Sequence, residues 1–591
     1  PWKTNVTAKQ AGIGMGGTLR ERWGLALVGA LAGGSLYGLT IGIDGILPDR
    51  VMLALIVLAG TFFATLLAMA GPIGVRRAAL NAAGLALVTA GLVWLASLRF
   101  EAADGFFTGP LPTLAALTVA TLPMPFLIAR AGPGWRDYPS LFLQAWSIVV
   151  RYVAAWAFTG LVWVVILLSD RMLGIVGLTV INDLLAIEVV PFVVTGAIVG
   201  LAMAVVHELA DLLSPYVVLR LFRLLLPVVL VVMTVFLLAL PFRGLSGLFQ
   251  DWSPALVLLA MVAAGILLVS IAIDQSDADA TSSPFLRLAA QAQALVLPVV
   301  AGFGAWAVWL RVAQYGWTPE RVFVALVAAM AVAYGVIYAV AVLRRGAWMA
   351  RIRAGNLWMA LAVIALAALW LTPVLNAERI SARDQLARFE AGRTLVEALD
   401  IAAIGRWGKA GAAVIAALEE KAKAPGQEAL AARLANPGAE PGMSGDKRAE
   451  MVADLTSLMP LQPASATGTR DMILAAMQEY ELSTWLDACK RVLTDGRPGC
   501  VMAVADLLPT MPGEEAMVVL VEAGDYVQVY GLYFLADGSL AQRTAVRSNG
   551  TYPGPDEARA LLRALQDQPP AVTPALLNQL GTGESGLLIL P

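Results

Sequence analysis

Long uninterrupted apolar runs dominate the first 375 positions, in place of the alternation of a half-buried strand or the narrow stripe of a surface helix. Eleven of them come close to or exceed the ~20 residues that a helix needs to cross a bilayer core: 24–43, 51–71, 78–98, 111–129, 141–169, 189–206, 217–240, 255–273, 285–310, 322–343 and 357–375. A shorter run at 172–181 has a length suited to an interfacial or re-entrant helix. Residues 1–19 show no such period and are expected to be a disordered arm or an upstream extension, with Met15 a candidate start.

After Asn376 the pattern changes. Residues 376–436 are rich in Ala, Glu, Lys, Arg and Leu and read as helices, Ser381 with Asp384 offering an N-cap. A linker at 437–446 carries Pro437, Gly438, Pro441 and Gly442. Residues 447–591 mix two periods, helical at 447–458, 469–493, 555–566 and 574–580, and strand-like at 501–505, 517–522, 526–535, 540–546 and, as an edge, 587–590. Asp537 and Gly538 give a hairpin signal between two of these strands. The expected fold is a polytopic α-helical membrane bundle of about eleven spans over 20–375, followed by a soluble α+β C-terminal domain with an antiparallel sheet.

Composition agrees: of 591 residues 59% are apolar and 14% charged, with mean hydropathy +0.74, outside the range of soluble chains. Charge divides the chain, at −8 from Asn376 onward and +6 before it. The acidic tail argues against nucleic acid as a partner. Arg20, Arg22, Arg76, Arg77, Arg130, Arg136, Arg344, Arg345, Arg351 and Arg353 all fall on one side of an eleven-span chain, which the Lys/Arg loop bias makes cytoplasmic. One loop on that side dissents, carrying Asp274, Asp277 and Asp279. The tail is then expected to lie outside, which in a bacterial envelope is the periplasm. There the only two cysteines, Cys489 and Cys500, are expected to form a disulfide; free thiols are the alternative, and zinc lacks ligands.

Candidate chemistry is sparse. Arg151 lies deep in the fifth span, with Gln144 two turns before it and Tyr152 beside it. It either snorkels or pairs within the fold, or marks a functional site. His207, the only histidine, shares a face with Asp211 at i, i+4 beside Glu208, which reads as a water-exposed helix end or a proton-handling pair. HExxH chemistry is excluded for want of a second histidine. Small residues recur every fourth position at Gly34, Gly38, Gly42 and at Gly196, Gly200, Ala204, as in close helix packing. Gly12, Gly14 and Gly17 satisfy a dinucleotide spacing with neither strand nor βαβ context, and no Walker, GxSxG or metal-ligand spacing occurs. No cofactor is expected, and no residue can be named as nucleophile or base.

Five stretches, LVWLASLRF (92–100), LPFRGLSGLF (240–249), RVAQYGWTPERV (311–322), ISARDQLARF (380–389) and RWGKAG (406–411), resemble the bacterial membrane proteins grouped as domain of unknown function 4153, in an alphaproteobacterial form. The resemblance implies a multi-pass inner-membrane protein with no established activity. In its YGWTPER piece Thr318 suits an N-cap, Pro319 the first helical position and Glu320 the positive helix end. Tyr315, Trp317 and Arg321 add a collar of the interfacial kind, which reads first as the start of the tenth span; the sharper reading is that, with Arg379 and Arg383, it docks the tail over an outward-facing cavity. The leading functional expectation is recognition of an envelope component or partner protein by the periplasmic domain, in assembly or sensing. A transporter or lipid flippase is second, an intramembrane enzyme third. Membrane lipids are the one partner common to all; oligomeric state is left open.

Overall fold

The computed structural model describes residues 8–591 apart from 44, 209–214, 249–252, 436–444, 494, 510, 512, 523–525, 536–537, 548–550, 570, 575–578, 581–586 and 589–591. Side chains are also outside the description at 8–21, 208, 215–218, 241–248, 445–447, 479, 579–580 and 587–588. Among the described residues, eleven helical stretches are long and apolar enough to cross a membrane, one for each run in the sequence. The protein is a mostly helical membrane bundle followed by an α+β domain.

Fourteen helices build the spans and their links: α1 (Ala8–Tyr37), α2 (Asp49–Ile73), α3 (Val75–Ser97), α4 (Pro110–Thr121), α5 (Met124–Arg130), α6 (Tyr138–Ile175), α7 (Val180–Leu185), α8 (Val189–Glu208), α9 (Pro215–Arg223), α10 (Leu225–Leu248), α11 (Pro254–Ile273), α12 (Pro284–Tyr315), α13 (Pro319–Leu343) and α14 (Trp348–Trp370). Several starts follow sequence rules. Asp137 caps α6 by accepting the Ser140 N–H at 3.0 Å, and Ser283 does the same for α12 from Leu286. The fourth span combines α4 and α5, with Pro123 at their break.

Run 172–181 is not a separate re-entrant helix. Residues 172–175 finish α6, whose 38 residues extend roughly 57 Å, well beyond a core of about 30 Å. A turn then leads to the six-residue α7.

Three large apolar clusters pack the bundle, with two small ones beside them. The largest joins α10 to α14 around Leu258, Leu297 and Tyr338. Another joins α1, α2, α3, α5, α6 and α8 around Ala68, Met69 and Ala155. A third binds α2, α3, α4, α13 and α14 around Val93, Phe106 and Trp370. Helix α1 comes close to α8, where a Cβ added to Gly29 would lie 2.0 Å from the Gly196 carbonyl oxygen, and one on Gly200 2.1 Å from that of Leu25. Gly196 and Gly200 are used as the sequence suggests, but their partners in α1 are Gly29 and Gly33. Gly34 meets only ordinary contact and Gly38 open space, because five residues along a helix turn the face by about 140°.

Backbone contacts divide the chain into two compact units. One runs to Arg393 and takes in Ile401–Ala431; the other holds Thr394–Asp400 and the chain from Ala432 onward. The first unit includes α15 (Ala377–Glu390), α16 (Ile401–Gly405) and α17 (Gly408–Ala422). Asn376, rather than Ser381, caps α15, accepting the Arg379 N–H at 2.8 Å; Ser381 lies fully buried inside the helix. A short α18 (Glu428–Ala435) follows.

The second unit is a five-stranded sheet in the order β1 (Leu461–Gln462), β2 (Cys500–Ala505), β3 (Glu515–Val521), β4 (Val527–Phe534) and β5 (Leu540–Thr544). Only β1, which the sequence did not signal, is parallel to its neighbour. The strands alternate: Met502, Val504, Val518 and Leu520 face α19 (Gly445–Leu458), α20 (Thr467–Ala476) and α21 (Glu479–Lys490), while Val501, Ala503, Val519 and Val521 face α22 (Pro555–Asp567). The run 469–493 is two helices, split at Met477–Gln478 where Gln478 and Glu481 form a capping box. Cys489 and Cys500 form a disulfide, Cα atoms 4.9 Å apart, joining α21 to β2. Of the run 574–580, residues 575–578 lie outside the described residues, and Gln579–Leu580 pairs as β6 with β7 (Leu587–Leu588).

Candidate functional site

Span ends form two sets. At one end lie the loop after α3, the turn between α12 and α13, and the chain leaving α14. The opposite end gathers the C-termini of α2, α5, α8 and α11 and the start of α14.

The first set is a lock between the spans and α15–α17. Thr318 caps α13 by accepting the Arg321 N–H at 3.3 Å, with Pro319 in first place and Glu320 in the first turn. Arg321 donates to the carbonyls of Tyr315 and Gly316 at 3.3 and 2.8 Å, its guanidinium 5.5 Å from the Tyr315 ring centre. Trp317 donates its backbone N–H to Asp384 at 2.8 Å, and Gln385 donates to the carbonyls of Tyr315 and Trp317 at 3.0 Å each. Arg388, buried, donates to the carbonyls of Ala313 and Gln314. Gly316, at φ +75°, leaves no room for a side chain between these three groups. Asp384, Gln385 and Arg388 therefore hold α15 on this turn, while Arg379 and Arg383 are exposed.

Arg99 makes the second half of the lock. It donates to Glu378 at 3.1 Å, to the Thr372 carbonyl at 2.6 Å and to that of Trp370. Burial lowers its guanidinium below the ordinary arginine value, and Glu378 opposes that shift. The Arg99 carbonyl accepts the backbone N–H of Lys409 at 2.9 Å, against Gly408 at φ +58°. Thus four of the five family-like stretches meet in one place; side chains of the fifth, at 240–249, lie outside the description.

At the opposite end the acidic loop supplies counter-ions. Asp274, fully buried, pairs with Arg223 and accepts the Gln275 N–H at 2.7 Å. Arg353 donates to the carbonyls of Ile273 and Asp274 and to the Asp277 carboxylate at 2.6 Å. Burial pushes the Asp274 carboxyl above its usual range, against the pull of the Gln275 N–H and Arg223. Deeper in the bundle Tyr138, Ser270, Tyr338 and Asn356 share a closed set of hydrogen bonds of 2.7–3.1 Å. No run length or motif pointed to these four residues.

Arg151 and His207 come together at this end. A cavity of 410 Å³ is lined by both, with Ser140, Gln144 and Ser147 among its other walls. Arg151 is 4% exposed; its Nε donates to the Ser147 carbonyl at 3.1 Å, and its buried Nη2 makes no hydrogen bond. The His207 ring packs on Gly71, where a Cβ would come within 2.7 Å of it. Asp211 lies outside the described residues. The signal for the site was present, since Ser140, Gln144, Ser147 and Arg151 recur at i, i+4, i+7 and i+11 on one face of α6. Sequence reading singled out only Gln144 and Arg151 from that stripe.

A second cavity, of 440 Å³, follows along the same helices and is almost wholly apolar: Gly29, Gly33, Gly60, Ala64, Trp156 and Val199 are among its walls. Tyr152, next to Arg151, lines it too and donates its hydroxyl to the Ala64 carbonyl. A third, of 360 Å³, lies between α4, α13 and α14. Among the described residues no group of three or more His, Cys, Asp or Glu could hold a metal ion. No family model, curated protein or solved structure matches this chain.

Proposed function

We propose that the protein is a lipid-handling membrane protein of the transporter or flippase kind, in which the chain of an amphiphile enters the apolar cavity between α1, α2, α6 and α8. The observation that carries this reading is that cavity: its 440 Å³ falls in the range of roughly 300–1,000 Å³ typical of ligand sites. Trp156, on its wall, is 56% exposed on a face made of apolar side chains, which is where a hydrocarbon chain would arrive. What favours this reading over recognition by the C-terminal domain is that the apolar cavity lies among the spans. Placement in a bacterial inner membrane, the Arg151 end cytoplasmic and the C-terminal domain periplasmic, belongs to the same proposal and rests on the Lys/Arg loop bias. Kinship with the domain-of-unknown-function 4153 proteins belongs to it as well, on the five stretches quoted above.

The test is to fill the cavity. Gly60 is on its wall and an added Cβ there meets nothing within 4 Å, so Gly60→Phe adds bulk without a backbone clash. Native mass spectrometry of the purified full chain should show lipid retention falling several-fold in that variant. Retention equal to that of the original chain would remove the basis for lipid handling.

A further inference from the structure

We infer that Arg151 receives the anionic headgroup of the amphiphile, so that the ligand class is an acidic lipid rather than a zwitterionic or neutral one. The inference rests on the lipid-handling reading and narrows it. Three observations support it. First, a charged guanidinium at 4% exposure has one hydrogen bond from Nε, none from Nη2, and no carboxylate partner among the described residues. Such a charge costs several kcal/mol to bury unless an anion or further acceptors meet it, and arginine keeps its charge at any physiological pH.

Second, Arg151 opens on a polar space. The 410 Å³ cavity is lined by Ser140, Gln144, Ser147 and His207 together with Arg151. These are the donors that a phosphate or carboxylate headgroup uses, and no described carboxylate lines the space to compete for the cation. Third, polar and apolar cavities follow one another along α2, α6 and α8, with Arg151 in the wall of one and Tyr152 in the wall of the other. We place the headgroup in the first and the chain, along these helices, in the second. Neither a free anion nor an uncharged lipid would use both.

The experiment is native mass spectrometry of the purified full chain, titrated separately with phosphatidylglycerol, phosphatidylcholine of the same acyl chains, and inorganic phosphate. The original protein should retain phosphatidylglycerol preferentially. Arg151→Gln should weaken phosphatidylglycerol on the order of tenfold, the worth of one charge-assisted contact, and leave phosphatidylcholine unchanged. Arg151→Lys should keep most of the preference, which separates loss of charge from loss of fold. Gly60→Phe should reduce both lipids. If Arg151→Gln binds phosphatidylglycerol like the original while Gly60→Phe binds neither lipid, the headgroup assignment is overturned and the lipid-handling reading stands. If Gly60→Phe changes nothing, the latter falls. Phosphate binding that is lost in Arg151→Gln, with no preference between the lipids, would overturn the lipid assignment in favour of a free oxyanion.

Discussion

Asp274 follows the last residue of α11 with no exposed surface, at φ +52°, and its carboxylate is held by Arg223 and the Gln275 N–H. Burial raises its proton affinity in the folded protein above that of the unfolded chain. The folded state therefore binds more protons across the window from the ordinary carboxylate value, about 4, up to the raised one. The stabilising effect of protonation is complete below that window and is lost as pH rises through it. Asp274→Asn, uncharged throughout, should flatten this part of the pH dependence of thermal melting in purified protein; an unaltered slope would contradict the burial argument. The sequence showed three acidic residues in a loop where basic ones were expected. It could not show that Arg223 and Arg353 neutralise them, because those partners come from α9 and α14.

Among elements, helices were legible where run length and caps set them. Eleven apolar runs became eleven spans because backbone hydrogen bonds inside lipid must close within the segment, and Thr318 with Pro319 marks the start of α13 as written. Other boundaries were not local. Ser381 and Asp384 look like a cap, but Asn376 starts α15 earlier, which leaves Asp384 to accept from Trp317. The 574–580 stretch has a helical composition, yet its end pairs with β7. The lock between α3, α14 and α15 gives a prediction at this scale. Both Arg99 and Glu378 are less than 10% exposed, so Arg99→Ala or Glu378→Ala leaves a buried charge and should cost about 3 kcal/mol. Limited proteolysis should then cut faster between α15 and α17, and the double variant should be less sensitive than the two single losses combined.

For the whole molecule, the disulfide connects orientation with stability. Cys489 and Cys500 are 11 residues apart, and closing such a loop stabilises a fold by about 3 kcal/mol. Reduction should therefore lower the melting temperature of the C-terminal domain. In the proposed orientation, a thiol reagent that cannot cross membranes should label both cysteines in intact cells after reduction. Labelling only after permeabilisation would reverse the proposed sidedness, and with it the leaflet from which Arg151 would take its ligand.

By itself the sequence determined the number of spans, the change of period after Asn376, the cysteine pairing and the main strands of the sheet. Each depends on run length, alternation or spacing between near neighbours. Tertiary structure decided which polar groups meet. Arg99 and Glu378 are 279 positions apart, Arg151 and His207 belong to different spans, and Gly29 rather than Gly34 faces Gly196. Burial of an apolar run is fixed by its own composition, whereas a contact between distant side chains depends on the rotation and packing of every helix between them.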